Sequence, residues 1–354
     1  LTAVQASDLL EAAQAGDDEA FGRLVEPHRG ELHAHCYRML ASLHDADDAL
    51  QDALLRAWRA LPRFEGRSSL RTWLFTITTN ACLEAIRRRS KRVLPLDVGS
   101  PADPHARFEP PVTEDVWVEP YPDAALTYEQ REGVELAFVA ALQHLPATQR
   151  AVLILREVLG FSAAEVAGVL ETTVPAVNSA LQRARAAVEA RVPERSQQAV
   201  LREVGDDGVR ELVDRYVEAW ERSDVDAFVG LLAAEVAVAM PPLPMWYAGV
   251  DAVRAWAETS SMTGEWRWKA LRTSANGQPA LGFYAWDADR QVYLPFALNV
   301  LTLRGRVVSG VVAFIVRSTD APGGEAYERF PELPPDAARL HLTFERFGLP
   351  PELA

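Results

Sequence analysis

The sequence predicts a multidomain chain: two all-α modules, a helical bundle and a helix-turn-helix, followed by an α+β cone. Three observations carry this. Apolar residues recur at helical spacing from residue 7 to 60, and helical patterns return over 127–192. A proline-rich, acidic stretch over 93–126 separates the two sets. Beyond Val236 the helices give way to segments that read as strands, with turn signals at Asn276-Gly277 and Arg304-Gly305-Arg306. Helices followed by a long antiparallel meander give the cone. The boundaries that follow are 1–92, a linker 93–126, 127–192, a connector 193–204, 205–317, and a tail 318–354.

The bulk properties agree with several folded cores. The chain has 354 residues, 49% of them hydrophobic, which is enough for two or three domains. The net charge of −14 argues against a protein that coats DNA by itself. An acidic chain with local basic patches suits a subunit that meets DNA inside a larger assembly. Cys36 and Cys82 sit in apolar helical contexts, so neither a disulfide framework nor a metal site is read from them. No cofactor is expected. No signal peptide or membrane span is read, and a reducing cytoplasm is the expected location.

The first module opens with N-cap signals at Ser7-Asp8 and Asp17-Asp18. Phe21, Leu24, Val25, Leu32, Cys36, Met39 and Leu40 then follow at helical spacing. An acidic helix carries Asp45, Asp47, Asp48 and Asp52 near Leu50, Leu54, Leu55 and Trp58. After a turn at Glu65-Gly66, a second helix starts at a Ser pair, carries Trp73 and Phe75, and ends in Arg87, Arg88, Arg89, Lys91 and Arg92. From Arg63 to Arg92 the basic residues face only Glu65 and Glu84. Cations for phosphates and aromatic surfaces for unstacked bases are what a melted strand requires. Leu70, Trp73, Leu74, Ile77 and Ala81 also fit a buried stripe, so Trp73 has a packing role as well as a base-contacting one open to it.

The stretch DADDALQDALLRAWRALPRFEGRSSLRTWLFTITTNACLEAIRRRSKR, Asp45 to Arg92, resembles region 2 of the extracytoplasmic-function sigma factors. These are small promoter-recognition subunits of bacterial RNA polymerase. The resemblance implies capture of a −10 element by Arg63, Arg67, Arg71, Trp73, Asn80, Arg87 and Arg88. A base pulled from the stack would enter a pocket built by the Arg63–Ser69 loop. It also implies that Asp48, Gln51 and Asp52 face the β′ clamp of core polymerase. The bland alternative is a solvated acidic face favoured by the helix dipole.

The linker holds seven prolines, Pro95, Pro101, Pro104, Pro110, Pro111, Pro120 and Pro122. Its seven acidic residues stand against Arg107 alone. It reads as extended and negatively charged. In the family the corresponding linker threads the active-site and RNA-exit region of polymerase. Trp117 and Tyr121 are large for a spacer and are expected to dock.

Residues 127–192 look like region 4. Tyr128 to Leu142 reads as one helix, and Pro146 opens another that stops at Gly160. Ser162 and Glu165 form a capping box, with Phe161 and Val166 as its staple. The last helix begins near Pro175. Val177, Leu181, Ala184 and Val188 share one face of it, and Asn178, Ser179, Gln182, Arg183 and Arg185 point the other way. That outward set is the candidate reader of a −35 element.

The third module begins with helices over Val209–Arg222 and Val225–Leu232. Strands follow at 236–240, 266–273, 280–286, 293–303 and 307–316, with a helix at 249–259. On YVEAWERSDVDAFVGLLAAEV, MPPLPMWYAGVDAV and VVSGVVAFI this part resembles the SnoaL-like branch of the nuclear-transport-factor-2-like (NTF2-like) fold. Such cones usually hold a pocket, which Trp246, Tyr247, Trp256, Trp266, Trp268, Phe283, Trp286 and Phe296 are candidates to line or fill. Relatives that are cyclases or isomerases use a carboxylate, for which Asp287 or Asp289 with Tyr216 would serve, although Asp287-Ala288-Asp289 looks like a turn. The apolar residues of the tail are expected to pack back on the body.

The reading is an alternative sigma factor, not an enzyme, regulated by its own C-terminal domain. Expected partners are the β′ and β subunits of core polymerase, promoter DNA, and the sigma domains themselves as seen by the cone. A separate anti-sigma factor is left open. The rivals are a SnoaL-type cyclase or isomerase, and a free-standing or small-ligand-sensing helix-turn-helix regulator.

Overall fold

A computed structural model describes residues 3–126, 131–319, 331 and 333–354. The chain divides into two compact units. One joins Leu1–Arg92 to Ala125–Pro193, and the other joins Val93–Ala124 to Glu194–Ala354.

The helical unit contains α1 (Ala3–Gln14), α2 (Asp18–Leu40), α3 (Leu43–Ala60) and α4 (Leu70–Arg88), then α5 (Leu136–Gln143), α6 (Ala147–Leu153), α7 (Ala163–Val169) and α8 (Val174–Glu189). Short polar residues set the starts. Asp17 accepts from the amides of Glu19 and Ala20 at 2.9 and 3.0 Å, Ser42 from Asp45, and Ser69 from Thr72. Each such cap contributes about 1 kcal/mol. The expected capping box closes α7, with Ser162 N donating to Glu165 at 2.8 Å and Glu165 N donating back at 3.2 Å. The helix expected over 128–142 is shorter. Glu132–Val134 is a single 3-10 turn and α5 starts only at Leu136. Residues 127–130 lie outside the described residues. Beyond α6 the backbone widens to π-helical geometry over Ile154–Val158.

The core of this unit runs through Leu32, Cys36, Met39, Leu43, Leu74 and Phe75, all fully or almost fully buried. A smaller cluster of Leu9, Ala13, Ala20, Leu24 and Leu61 takes Phe64 and Trp73 against it. Two buried arginines tie the first four helices to the last four. Arg38 Nε donates to Gly133 O at 2.7 Å. Arg150 donates to Met39 O and to the Gln143 carbonyl at 3.2 Å, while Gln143 Nε2 donates to Arg38 O at 3.2 Å. The last carbonyls of α2 have no partner within their own helix, and donors from α5 and α6 supply one. Burial lowers the Arg150 pKa to about 10.

The second unit is an α+β cone. Its sheet, six-stranded among the described residues, has the order β2-β1-β6-β5-β4-β3. The strands are β1 (Leu232–Ala239), β2 (Trp246–Ala248), β3 (Trp268–Ala275), β4 (Gln278–Asp287), β5 (Val292–Arg304) and β6 (Val307–Ile315). Asn276 and Gly277 both have positive φ, 57° and 68°, as a two-residue hairpin of this twist requires. Gly305, φ 59°, turns β5 into β6. The helices are α9 (Gln197–Glu221), α10 (Val225–Val229), α11 (Val250–Trp256) and α12 (Ala337–Thr343).

One expectation needs correction here. The connector over 193–204 is largely the first part of α9, which starts at the Ser196 cap and is interrupted at Gly205, φ 75°. Gln197 exchanges side-chain hydrogen bonds with the Leu303 backbone at 2.9 and 2.7 Å, and Val200 is buried. Polar composition hid a segment that pairs with a strand end. The linker docks on the cone through Tyr121, one of the two large residues expected to dock. Tyr121 and Asn276 exchange hydrogen bonds at 2.8 and 2.9 Å, and Asp123 accepts from Gly277 N at 2.7 Å. Ala102 N donates to Trp246 O at 2.8 Å, and Val112 N to Pro242 O at 2.9 Å. Val118 and Tyr121 are fully buried. The strap spends its extended backbone on partners in the cone, as buried peptide groups must. The tail packs on the outer face of the sheet. Phe344 lies edge-on to Tyr284 at 5.4 Å, and Tyr284 Oη donates to Pro350 O at 2.9 Å.

Candidate functional site

On α8, Val177, Ala180, Leu181, Ala184 and Val188 are buried, and Asn178, Ser179, Gln182, Arg183 and Arg185 are all exposed. Thr173 caps the helix, and Glu171 takes a positive φ of 49° in the turn that precedes it. Arg183 donates to Ser179 Oγ at 2.6 Å, and Arg185 pairs with Glu157 at 2.6 Å. Both arginines lie on the surface, where such contacts are weak and exchange readily for phosphate.

Between α3 and α4, Arg63 and Arg67 occupy the exposed loop, and Asn80, Arg87 and Arg88 lie exposed along and at the end of α4. Asn80 and Arg87 border a shallow cleft with Arg56, Ile77 and Glu84, of about 330 Å³. Arg56 grips Glu84 through two bonds of 2.9 and 2.8 Å and reaches Asp52 at 2.7 Å. That grip holds the Glu84 carboxyl below its ordinary range.

Two residues of the set depart from it. Trp73 packs on Phe64 with centroids 5.0 Å apart. Arg71 turns inward. It pairs with Glu31, donates to Leu159 O at 3.2 Å and lies over the rings of Phe75 and Phe161. Its fork is occupied by α2 and by the turn before α7. On the acidic helix Asp48, Gln51 and Asp52 are exposed, whereas Asp45 is buried against Arg89 and Arg92.

The cone encloses a cavity of about 320 Å³. Its wall includes Tyr216, Trp220, Trp256, Trp268, Phe283 and Asn299, with Phe108 contributed by the strap. Burial pushes the Tyr216 hydroxyl well above its ordinary pKa, although the Trp220 indole and Asn299 amide beside it pull the other way.

The whole chain then compares with known proteins as follows. Residues 24–92 match the family description Sigma-70 region 2, residues 135–188 match Sigma-70 region 4, and residues 213–320 match a SnoaL-like domain. The chain is 44% identical over 306 residues to the ECF RNA polymerase sigma factor SigG of Mycobacterium tuberculosis, covering 83% of this chain and 81% of the relative. The chain belongs to the extracytoplasmic-function sigma factors. It is an alternative sigma factor, one that directs transcription initiation, and it carries a SnoaL-like C-terminal extension. SigM of the same organism is 35% identical over 180 residues, 51% of this chain and 81% of that one. The crystal structure of Mycobacterium tuberculosis SigJ shares the fold, with a TM-score of 0.50 and 21% identity over 81% of this chain and 93% of that one.

For the pocket of this sigma factor, Trp256, Trp266, Trp268, Phe283 and Phe296 stand in the wall, and the other three candidates do not. Trp246 turns its indole to Gly99 O of the strap at 2.9 Å. Tyr247 is buried behind Trp256, on which it stacks at 5.7 Å. Trp286 sits on the outer face against Tyr293 and Arg267. Asp287, the candidate acid, accepts from the amides of Asp289 and Arg290 at 3.0 and 2.9 Å in a hairpin turn, and neither it nor Asp289 joins Tyr216 in the cavity wall. Tyr216, expected beside a carboxylate, stands in the wall without one, and Trp220 lay in a helix read only for its amphipathic spacing. Asn299, a polar residue among the inward apolar positions Ala297, Leu301 and Leu303 of β5, was the signal that could have found the site.

Proposed function

We propose that this sigma factor grips a promoter at two places while bound to core RNA polymerase, and that its cone governs how readily it does so. In this reading α8 reads the −35 element through Asn178, Ser179, Gln182 and Arg183, with Arg185 on phosphate. Arg63, Arg67, Asn80, Arg87 and Arg88 hold the −10 strand. Arg71 joins them only when the helix-turn-helix leaves α4, and Trp73 only when it comes away from Phe64. Asp48, Gln51 and Asp52 meet the β′ clamp. The chain itself performs no chemistry, and it works in the cytoplasm with the polymerase.

The observation that carries the regulatory part is the strap. A sigma linker that threads polymerase must offer its backbone and its acidic side chains to that enzyme. Here the same segment is hydrogen-bonded to the cone at Asn276, Gly277, Trp246 and Pro242. Docking on the cone and insertion into polymerase therefore compete for one segment, and the cone acts as a brake. The test is reporter transcription, with competition for core enzyme against another sigma factor. Tyr121→Ala, which unseats a fully buried ring of the strap, is expected to raise both activity and success in competition. Activity that stays level or falls would refute the brake, and failure of every form to compete for core enzyme would refute the promoter reading.

A further inference from the structure

We propose that the cone cavity and the strap segment around Phe108 form one composite binding site for an uncharged, flat, mainly apolar small molecule, whose seating holds the strap on the cone. The inference rests on the regulatory reading above and adds the ligand class and the lid.

The volume of about 320 Å³ lies in the range of sites for small organic ligands. The wall is aromatic on several sides. Trp220 lies edge-on to Phe283 at 5.1 Å, and Trp268 edge-on to Phe296 at 4.9 Å. Ring faces and edges around a narrow space favour a planar guest. Ionised side chains are absent from the deep part of the wall among the described residues, and Glu265 stands exposed at the rim. A charged ligand would find no counter-ion there, and burying it unpaired would be costly.

The polar members of the wall are Tyr216 and Asn299 together with Thr259, Ser260, Ser261 and Thr263. A mainly apolar guest with a small number of polar groups fits that lining.

Phe108 makes this site a device. It comes from the strap, not from the cone body, yet it lines the cavity. A guest that touches Phe108 binds more tightly when the strap is docked, and by linkage it stabilises the docked strap to the same degree. The chain also contains a reporter of docking. Arg107, exposed and adjacent to Phe108, is the sole lysine or arginine between Arg92 and Arg131 and so is a trypsin site within the strap.

The experiment uses the full chain and N-phenyl-1-naphthylamine, an uncharged fluorophore with three aromatic rings and one N–H. Saturable binding is expected at one probe per chain. Saturating probe should slow tryptic cleavage after Arg107 by about tenfold. Phe108→Ala should weaken binding about tenfold and abolish that protection. Absence of saturable binding, or binding that leaves Arg107 cleavage unchanged, overturns the proposal. The brake fails separately, through transcription in strap variants without any ligand.

Discussion

The Arg71 guanidinium lies 4.6 Å from the centre of the Phe161 ring, which places a candidate −10 residue of α4 against the turn that leads into the helix-turn-helix. The same guanidinium pairs with Glu31 and donates to Leu159 O at 3.2 Å. Arg71→Lys keeps the charge but loses the planar fork and the stacking. It is expected to weaken the α4–α7 contact by about 2 kcal/mol. Hydrogen exchange at the Phe161 amide, which donates to Leu155 O at 2.9 Å, should accelerate. Unchanged protection would mean that the contact is held by Phe75–Phe161 packing alone.

The exposed face of α8 makes a prediction that separates reading from holding. Gln182→Ala should cost about 1–3 kcal/mol on the preferred −35 sequence and relax preference at one base pair. Arg185→Ala should weaken all sequences alike and reduce the salt slope by about one. Fluorescence anisotropy of polymerase-bound sigma factor on duplexes, over a salt series, distinguishes the two. Equal effects of both variants on all sequences would remove Gln182 from the base-reading set.

His35 predicts an acid sensitivity of the helical unit. It is fully buried, with Nε2 3.0 Å from Thr79 Oγ1. Burial first, and the Arg38 charge second, lower its pKa to about 3. The unfolded chain takes up this proton near pH 6.5 while the folded chain refuses it until about pH 3. The stabilisation is therefore complete above pH 6.5 and is lost as the pH falls toward 3, by at most about 1.4 kcal/mol per pH unit. Urea unfolding across this window should show the slope, and His35→Gln should flatten it. An equal slope in the variant would assign the acid sensitivity to other groups.

Asn276 holds the strap by its side chain and the hairpin by its backbone. Asn276→Gly keeps the positive φ of 57° and removes the side-chain acceptor for Tyr121 N. A loss of about 1 kcal/mol should speed tryptic cleavage at Arg107 about fivefold. A rate equal to that of the unaltered chain would show that Asp123 and the Tyr121 carbonyl hold the strap without it.

These residues also show what a sequence reading reaches and where it stops. Asn276-Gly277 signals a hairpin because turn chemistry is local, and the Ser162–Glu165 box and the Thr173 cap fix helix starts for the same reason. The second duty of Asn276, toward Tyr121, is 155 residues away in sequence and leaves no local trace. Arg38 and Arg150 were unreadable as core residues because charge argues for exposure, and only the packed fold supplies their carbonyl partners. The pocket wall was half readable. Phe283 faces in, and Tyr284 and Trp286 then face the tail side, as a period of two dictates. Composition alone counts Trp286 with the wall because the tail gives β4 an apolar environment on both faces.

Gly133 accepts from Arg38 and sits where a Cβ would meet Val158 Cγ1 at 2.7 Å and Arg38 Nε at 3.0 Å. Every glycine codon is a single nucleotide from an alanine codon. The clasp between the two halves of the helical unit is thus genetically shallow: one transversion inserts a methyl group where there is no room for it. Selection for bacteria with raised reporter output should recover changes at position 133, and a collection of such isolates without any would show that the clasp has other ways to yield.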